Sequence, residues 1–234
     1  MDLARCNLGE YQPYMMLSDY DLTVLEEQGW LYKSNLSSPN IVNIGQQIGK
    51  PIPSKPDRNL TDLLLPKNSS EASKGSLSSI YGLEEIPFHT DGAYHYIPPK
   101  YIILFAQEEL PFNIRILDFN LINFSNDQLA TLSYDVWIVK DKFRNFYASV
   151  LTNSLLPGKT ILRYNNHCMI PGNKNHVDSY QILEKKIKDF NYISLCFEPN
   201  SILILNNWRI LHGRDKVVHN HCSQGILERL FVME

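Results

Sequence analysis

The chain has 234 residues, a length that accommodates one large domain or two small ones. Hydrophobic residues make up 44% of the sequence, which predicts a folded protein with a sizeable core. The formal net charge is only -3, so we expect no nucleic-acid partner and no anionic membrane partner. No apolar run reaches the length of about 18 residues that a membrane span needs, and no basic segment precedes an apolar one at the N-terminus.

The four cysteines show no paired spacing that would indicate a disulfide framework or a zinc site. They are Cys6, Cys168, Cys196 and Cys222. We therefore expect free thiols in a reducing compartment, and the expected location is the cytoplasm.

Two helices and a strand are predicted near the start of the chain. Residues 18–29 read as a helix that Ser18 or the following aspartate begins and Gly29 ends. WLYK then predicts a short strand, and the segment SPNIVNIGQQIGKPIP predicts a second helix that stops at Gly49. We expect residues 1–52 to decorate a single domain.

Residues 53–80 are rich in serine, proline, lysine and asparagine, which predicts a long surface connection. Long connections in compact domains are usually functional or disordered, so we expect a lid over the site. The core of the domain is expected to span residues 81–234.

From residue 85 onward, short runs of β-branched and aromatic residues predict strands. These runs are YIILFA, IRILDF, YDVWIVK, NFYASVL, TILRYN, YISLCF, SILILNN, WRILHG and ILERLFV. One amphipathic helix interrupts them at residues 176–190. Many short strands with few helices are typical of a mainly β protein, either a β-sandwich or a jelly roll with flanking helices.

His89 and Asp91 follow an apolar run in the sequence FHTD. Residues two apart on a strand project to the same face, so the imidazole and the carboxylate can meet one metal ion. His212 also follows a strongly apolar strand and is the candidate third ligand. Two histidines and a carboxylate form the facial triad of non-haem Fe(II) oxygenases. The alternative is a histidine satisfied within a strand beside a solvated aspartate.

Longer segments around these residues strengthen the first interpretation. PFHTDGAYHYIPPKYIILFA, at 87–106, resembles the metal-binding segment of the clavaminate synthase-like and taurine dioxygenase-like Fe(II)/2-oxoglutarate oxygenases. FEPNSILILNNWRILHGR, at 197–214, resembles the distal segment of the same family. LRYN at 162–165 and GWLYKSN at 29–35 fit the same pattern, so the resemblance covers most of the chain in order.

The resemblance implies a double-stranded β-helix, which is a cupin-like jelly roll, with an iron centre made by His89, Asp91 and His212. It implies Fe(II) as the cofactor, with 2-oxoglutarate and O2 as cosubstrates. The implied reaction is oxidation of a C–H bond, hydroxylation by default, in a small amino-acid-like molecule or natural-product intermediate. Desaturation, ring closure and cleavage use the same iron site, so the sequence does not separate them. It does not predict the oligomeric state either.

One family residue is replaced in this chain. The arginine that holds the far carboxylate of 2-oxoglutarate usually precedes a second arginine by four positions. Arg229, in ILERLFV, fits the second arginine, and the first position is Gly225. Three explanations stay open: Arg229 is itself the anchor, 2-oxoglutarate is not used, or Arg115 takes over from the opposite strand. Arg115 stands where the family often has a threonine near the same carboxylate, and a solvated strand arginine is its alternative.

The resemblance adds candidate substrate-binding residues. Arg163 in LRYN faces the mouth of the core, and Arg214 in HGR lies near the metal strand, where a structural salt bridge is the alternative. Tyr94 and His95 follow the metal motif and either contact substrate or pack nearby. HNHC, at 219–222, has metal-ligand residue types but no partner cluster with zinc spacing, so we expect a flexible loop there.

Two other functional classes fit the same sequence. One is a metal-dependent jelly-roll enzyme that does not use 2-oxoglutarate and acts as an oxidase, isomerase or lyase, which the glycine at position 225 motivates. The other is a non-catalytic binding module, against which the intact HTD and HGR segments count.

Overall fold

The structure is a computed structural model that describes residues 15–37, 39–140, 144–153, 159–172, 177–218 and 225–234. The helices are α1 (Asp19–Gln28), α2 (Ile41–Ile48), α3 (Ser78–Tyr81), α4 (Asn126–Tyr134) and α5 (Val177–Asp189). The strands are β1 (Trp30–Lys33), β2 (Lys50–Ile52), β3 (Thr61–Leu64), β4 (Ile86–His89), β5 (Tyr101–Ala106), β6 (Ile114–Asp118), β7 (Trp137–Lys140), β8 (Asn145–Ala148), β9 (Leu151–Asn153), β10 (Thr160–Leu162), β11 (Met169–Pro171), β12 (Ile193–Leu195), β13 (Ser201–Asn206), β14 (Ile210–Arg214) and β15 (Leu227–Met233).

The predicted N-terminal helices form with the expected boundaries. Ser18 begins α1 through a capping box with Asp21, and Gly29 ends it in the left-handed region at a φ of 81°. The side chain of Asn40 caps α2 by accepting from two backbone N–H groups, and α2 ends before Gly49. These caps confirm the first elements predicted from the sequence.

Two antiparallel sheets build the jelly roll. The major sheet has the order β1-β13-β5-β15, and β15 pairs on its other edge with both β2 and β3. The minor sheet has the order β12-β6-β14-β4. Neighbouring strands in both sheets are distant in sequence, as in a double-stranded β-helix, and the mainly β fold with flanking helices is confirmed.

Alternate residues of both sheets face one apolar layer between them. This inter-sheet core consists of Ile102, Leu104, Ala106, Leu110, Phe112, Ile114, Ile116, Phe197, Leu203, Leu205, Ile210, Val217, Leu227 and Phe231. The intervening residues of the major sheet, such as Ile103 and Leu230, pack instead against α1 and α2. Those of the minor sheet, such as Leu117 and Leu211, pack against the region that contains β7, β11 and α5. The side of a strand on which a residue lies therefore decides whether it reaches the space between the sheets.

Several elements differ from the expectation. β1, β2 and β3 belong to the major sheet, so the sheet begins before residue 81. The segment 53–80 contains β3 and part of α3 in place of a purely irregular connection. The helix α4 was not predicted, although Ser125 and Gln128 form a capping box at its start.

None of the helices in the described ranges is long and apolar enough to cross a membrane.

Candidate metal centre

His89, Asp91 and His212 converge because β4 and β14 are neighbours in the minor sheet. His89, the last residue of β4, lies directly opposite His212 of β14, and the two ring centroids are 4.5 Å apart. Asp91 follows β4 by two residues, and all three side chains are buried. One potential ligand atom from each residue lies within 4.8 Å of the others. Three residues that are distant in the sequence therefore form one compact group of metal-ligand type.

A buried amide holds the backbone of Asp91 in place. The side-chain oxygen of Asn207 accepts from the Asp91 N–H at 2.9 Å, and its NH2 group donates to the carbonyls of Asp91 and Pro99, each at 2.9 Å. Asn207 is fully buried. Asn207 was not predicted as a functional residue, although an amide directly after an apolar strand in the distal segment was the available signal.

The protonation of the two histidines favours metal binding. Nδ1 of His89 lies 2.9 Å from the carbonyl of Pro87, so Nδ1 carries the proton and Nε2 keeps a lone pair. That Nε2 lies 3.6 Å from one oxygen of Asp91, and Nε2 of His212 lies 3.8 Å from the other. Burial, followed by the nearby His89 ring, lowers the pKa of His212 to about 3. Both rings can therefore present a neutral nitrogen to a metal ion.

Arg229 reaches this group from the major sheet. Its Nη1 lies 2.9 and 3.1 Å from the two oxygens of Asp91, and its Nη2 donates to Asp62 at 2.8 Å. Burial opposes ionisation of Asp91, but the adjacent Arg229 guanidinium outweighs it and holds the pKa of Asp91 well below its usual range. Burial likewise opposes the charge of Arg229, and Asp91 and Asp62 outweigh it, so the pKa of Arg229 lies above its ordinary value. The predicted candidate Arg229 thus lies beside the metal-ligand group.

Arg214 also faces the space between the sheets. It lies two residues after His212 on β14, and it pairs with Ile114 of the inter-sheet core. One guanidinium nitrogen donates to the carbonyls of Gly82 at 2.7 Å and Glu84 at 2.6 Å. Arg214 is 8% exposed, and burial lowers its pKa. Within the described part of the chain it forms no salt bridge, so the alternative of a structural ion pair is not observed there, and its predicted contact with substrate stays a prediction.

Arg115 lies on the opposite face of the same sheet. It pairs across the strands with Gly213, whereas its neighbour along the chain pairs with His212. Its guanidinium binds Glu85 and lies 3.2 Å from Asp215, and both acids are on the outer side. Arg115 is therefore neither solvated nor aimed at the metal group. The prediction that Arg115 reaches the far carboxylate of 2-oxoglutarate is wrong for this geometry, because the sheet stands between them.

Gly225 has a backbone reason to be glycine. Its φ is +66°, in the left-handed region that residues with a side chain rarely adopt. A Cβ atom built there would lie 2.6 Å from Cδ of Pro111 and 3.3 Å from the ring of Phe112. Gly225 therefore makes room for Pro111 and Phe112.

The guanidinium of Arg163 forms hydrogen bonds with backbone carbonyls. Its guanidinium donates to the carbonyls of Ala93, His95 at 2.6 Å and Tyr96 at 2.7 Å, and burial lowers its pKa to about 10. It thus holds the loop that follows Asp91. Its predicted contact with substrate stays a prediction.

Tyr94 and His95 connect this loop to the segment expected to form a lid. The Tyr94 hydroxyl donates to the carbonyl of Ser54 at 3.2 Å, and Nε2 of His95 lies 3.1 Å from the same oxygen. Their predicted role in substrate binding stays a prediction. The cluster at 219–222 lies outside the described residues. Within the described residues neither Cys168, which is buried, nor Cys196, which is exposed, forms a disulfide.

No protein-family model matches the chain, and no curated protein sequence matches it. Its fold matches solved oxygenases. The crystal structure of asparagine oxygenase (AsnO) has a TM-score of 0.69 at 15% identity, and the match covers 91% of this chain and 76% of that chain. The non-haem iron oxygenase OrfP, in complex with Fe and α-ketoglutaric acid, has a TM-score of 0.65 at 17% identity over 82% and 63% of the two chains.

PvcB is described as an Fe, α-ketoglutarate-dependent oxygenase from an isonitrile synthetic pathway. It has a TM-score of 0.65 at 12% identity, and the match covers 95% of this chain and 83% of that chain. Identities this low relate folds and leave residue roles open. This chain has the double-stranded β-helix fold of the non-haem Fe/2-oxoglutarate oxygenases, as its sequence segments predicted.

Proposed function

We propose that this protein is an Fe(II)- and 2-oxoglutarate-dependent oxygenase that oxidises a C–H bond of a small amino-acid-like molecule, with hydroxylation as the default outcome. The observation that carries the proposal is the buried group of His89, Asp91 and His212, whose potential ligand atoms lie within 4.8 Å of one another. Two imidazoles and one carboxylate suit Fe(II) and leave coordination positions for other molecules.

The chain's own residues prepare the site for this metal. The Pro87 carbonyl accepts from Nδ1 of His89 and so directs its Nε2 toward the metal group, and burial keeps His212 neutral at pH 7. The low pKa of Asp91 keeps its carboxylate charged over the same range. Bound Fe(II) would supply O2 activation coupled to oxidation of 2-oxoglutarate to succinate and CO2, chemistry that no side chain offers. The inter-sheet core beside the group is apolar and would disfavour water there.

The substrate class rests on Arg229 and on two of the structural neighbours. One solved structure of asparagine oxygenase contains 3-hydroxyasparagine and succinate, and one of OrfP contains (3S)-hydroxy-L-Arg and succinate. Arg229 lies beside Asp91 and has the planar guanidinium that suits a carboxylate, and because Asp91 and Asp62 already contact its two terminal nitrogens, a substrate carboxylate would have to displace one of these contacts. A free amino acid held there by its carboxylate would lie next to the metal ligands.

The segment 53–80 is the proposed lid. The contacts of Tyr94 and His95 with the Ser54 carbonyl join the start of this segment to the loop that follows Asp91. A movement of the segment would therefore shift the loop that follows Asp91 and could displace this metal ligand. We also propose a cytoplasmic location, since cysteines without paired spacing are typical of a reducing compartment.

The proposal is tested by reconstituting the purified protein with Fe(II) and measuring succinate formed from 2-oxoglutarate in air, with and without each free L-amino acid. Succinate that increases with one amino acid, together with a product 16 mass units heavier than that amino acid, is the expected result, since one oxygen atom is added. Metal binding without binding or turnover of 2-oxoglutarate would favour the oxidase, isomerase or lyase class. No metal after reconstitution would favour a binding module.

A further inference from the structure

The space between the two sheets holds two arginines whose charges are balanced differently. Arg229 contacts two carboxylates, Asp91 and Asp62, at 2.8 to 3.1 Å. Arg214 contacts only carbonyl oxygens in the part of the chain that the structure describes, and its Nε is buried without a hydrogen-bond partner there. A buried charge without a counter-charge is unfavourable, so the environment of Arg214 suits an anion that arrives with a ligand.

The distance between His212 and Arg214 limits the length of a ligand that could contact both the metal and Arg214. His212 and Arg214 are two residues apart on one face of β14, so their Cβ atoms lie about 7 Å apart along the strand. An extended five-carbon diacid spans about 5 Å from C1 to C5, since each C–C bond is about 1.5 Å. A 2-oxo diacid held at the metal by oxygens of its C1 carboxylate and C2 keto group would thus be long enough for its far carboxylate to reach Arg214.

Arg214 and Gly225 share a neighbour, the ring of Phe112. The centre of its guanidinium lies 5.5 Å from the ring of Phe112, and Gly225 packs against the same ring and against Pro111. A side chain at position 225 would collide with Pro111, so no cation can come from there. Arg115, the other candidate, lies on the far face of the minor sheet with Glu85 and Asp215.

We propose that Arg214 binds the far carboxylate of the 2-oxo diacid and so replaces the arginine that position 225 lacks. This inference rests on the proposed function, because it needs a metal-bound 2-oxo acid. It makes Arg214 a cosubstrate-binding residue and leaves Arg229 for the substrate.

The test compares two ligands that differ only in the far carboxylate. 2-Oxoglutarate and 2-oxopentanoate have the same carbon chain and the same metal-binding end. Each is titrated anaerobically into the Fe(II)-loaded protein, and the visible charge-transfer band of the chelate reports binding without turnover. The wild type is expected to bind 2-oxoglutarate about 10- to 100-fold more tightly, as for a hydrogen-bonded ion pair.

Arg214→Gln is the variant to examine, because its amide can still donate to a carbonyl while it carries no charge. We expect it to bind the two acids within about threefold of each other. If Arg214 had only a structural role, its replacement would weaken the binding of both acids equally and preserve the preference for 2-oxoglutarate. Arg115→Met is the matched control, an arginine of the adjacent strand on the outer face, and it is expected to keep the wild-type preference.

A wild-type preference that persists in Arg214→Gln would overturn the inference and leave the proposed function intact. Failure of the wild type to bind either acid would overturn the proposed function and the inference with it. A crystal structure of the wild type with Mn(II) and 2-oxoglutarate needs no variant to fold. It is expected to show the far carboxylate about 3 Å from the Arg214 guanidinium, and the carboxylate on Arg229 instead would overturn the inference.

Discussion

The buried amide of Asn207 is the support of the metal group that a single substitution tests most cleanly. Asn207→Ala removes one acceptor and two donors that bind Asp91 and Pro99, each at 2.9 Å. One backbone N–H and two carbonyls lose their buried partner, at about 1–3 kcal/mol each. Water entering the space of the lost amide offsets part of this, so we expect the free energy of unfolding to fall by about 3–5 kcal/mol.

Urea unfolding of the metal-free protein measures this loss. Because the same bonds hold the backbone of Asp91, we also expect Fe(II) to bind about 10- to 100-fold more weakly in the variant. Asn206→Ala is the matched control, since Asn206 is the adjacent residue and its side chain accepts one bond, from the N–H of Trp208 at 3.2 Å. The control should lose about 1 kcal/mol and keep its iron affinity. Equal losses in both variants, with unchanged iron binding, would refute the role assigned to Asn207.

Two further perturbations test the electrostatics of the site and its packing. In the metal-free protein the pKa of His212 is about 3 against an ordinary 6.5, so the unfolded state takes up the proton first. The free energy of unfolding should therefore fall as the pH drops from 6.5 toward 3, by at most about 1.4 kcal/mol per pH unit. Urea titrations at stepped pH measure this slope, and an unchanged slope in His212→Gln would contradict the assignment. Gly225→Ala should lower the free energy of unfolding by about 2–4 kcal/mol, since the new Cβ meets Pro111 at a positive φ. Gly75→Ala, also at a positive φ but with nothing within 4 Å, should lose only about 1 kcal/mol in the same assay, and equal losses would refute the packing argument.

The metal group was predictable from the sequence because two long segments, at 87–106 and 197–214, resemble the metal-binding segments of the Fe(II)/2-oxoglutarate oxygenases. The histidine and aspartate two apart are compatible with a shared face and a shared ion, but this pattern alone is weak. The start of α1 at Ser18 was also predictable, since a helix cap depends on neighbours a few residues away. The unpredicted α4 carries the same kind of capping signal at Ser125.

The face of the sheet on which Arg115 lies, and the packing around Gly225, were not predictable in the same way. Whether Arg115 faces the metal depends on its register with β14, and a shift of one residue would move it to the other face. The pairing of Arg115 with Gly213 is a contact between strands about 100 residues apart, which no local pattern encodes. The constraint at Gly225 likewise comes from Pro111, a residue distant in sequence.

The number of iron ions bound per chain in a His212 variant is the sharpest test of a metal site shared by His89, Asp91 and His212. The wild type and His212→Ala are equilibrated anaerobically with Fe(II), freed of excess metal, and measured for iron per chain while circular dichroism confirms the fold. We expect close to one iron per chain in the wild type and almost none in His212→Ala, because the third ligand comes from β14. Equal iron in both proteins would contradict it.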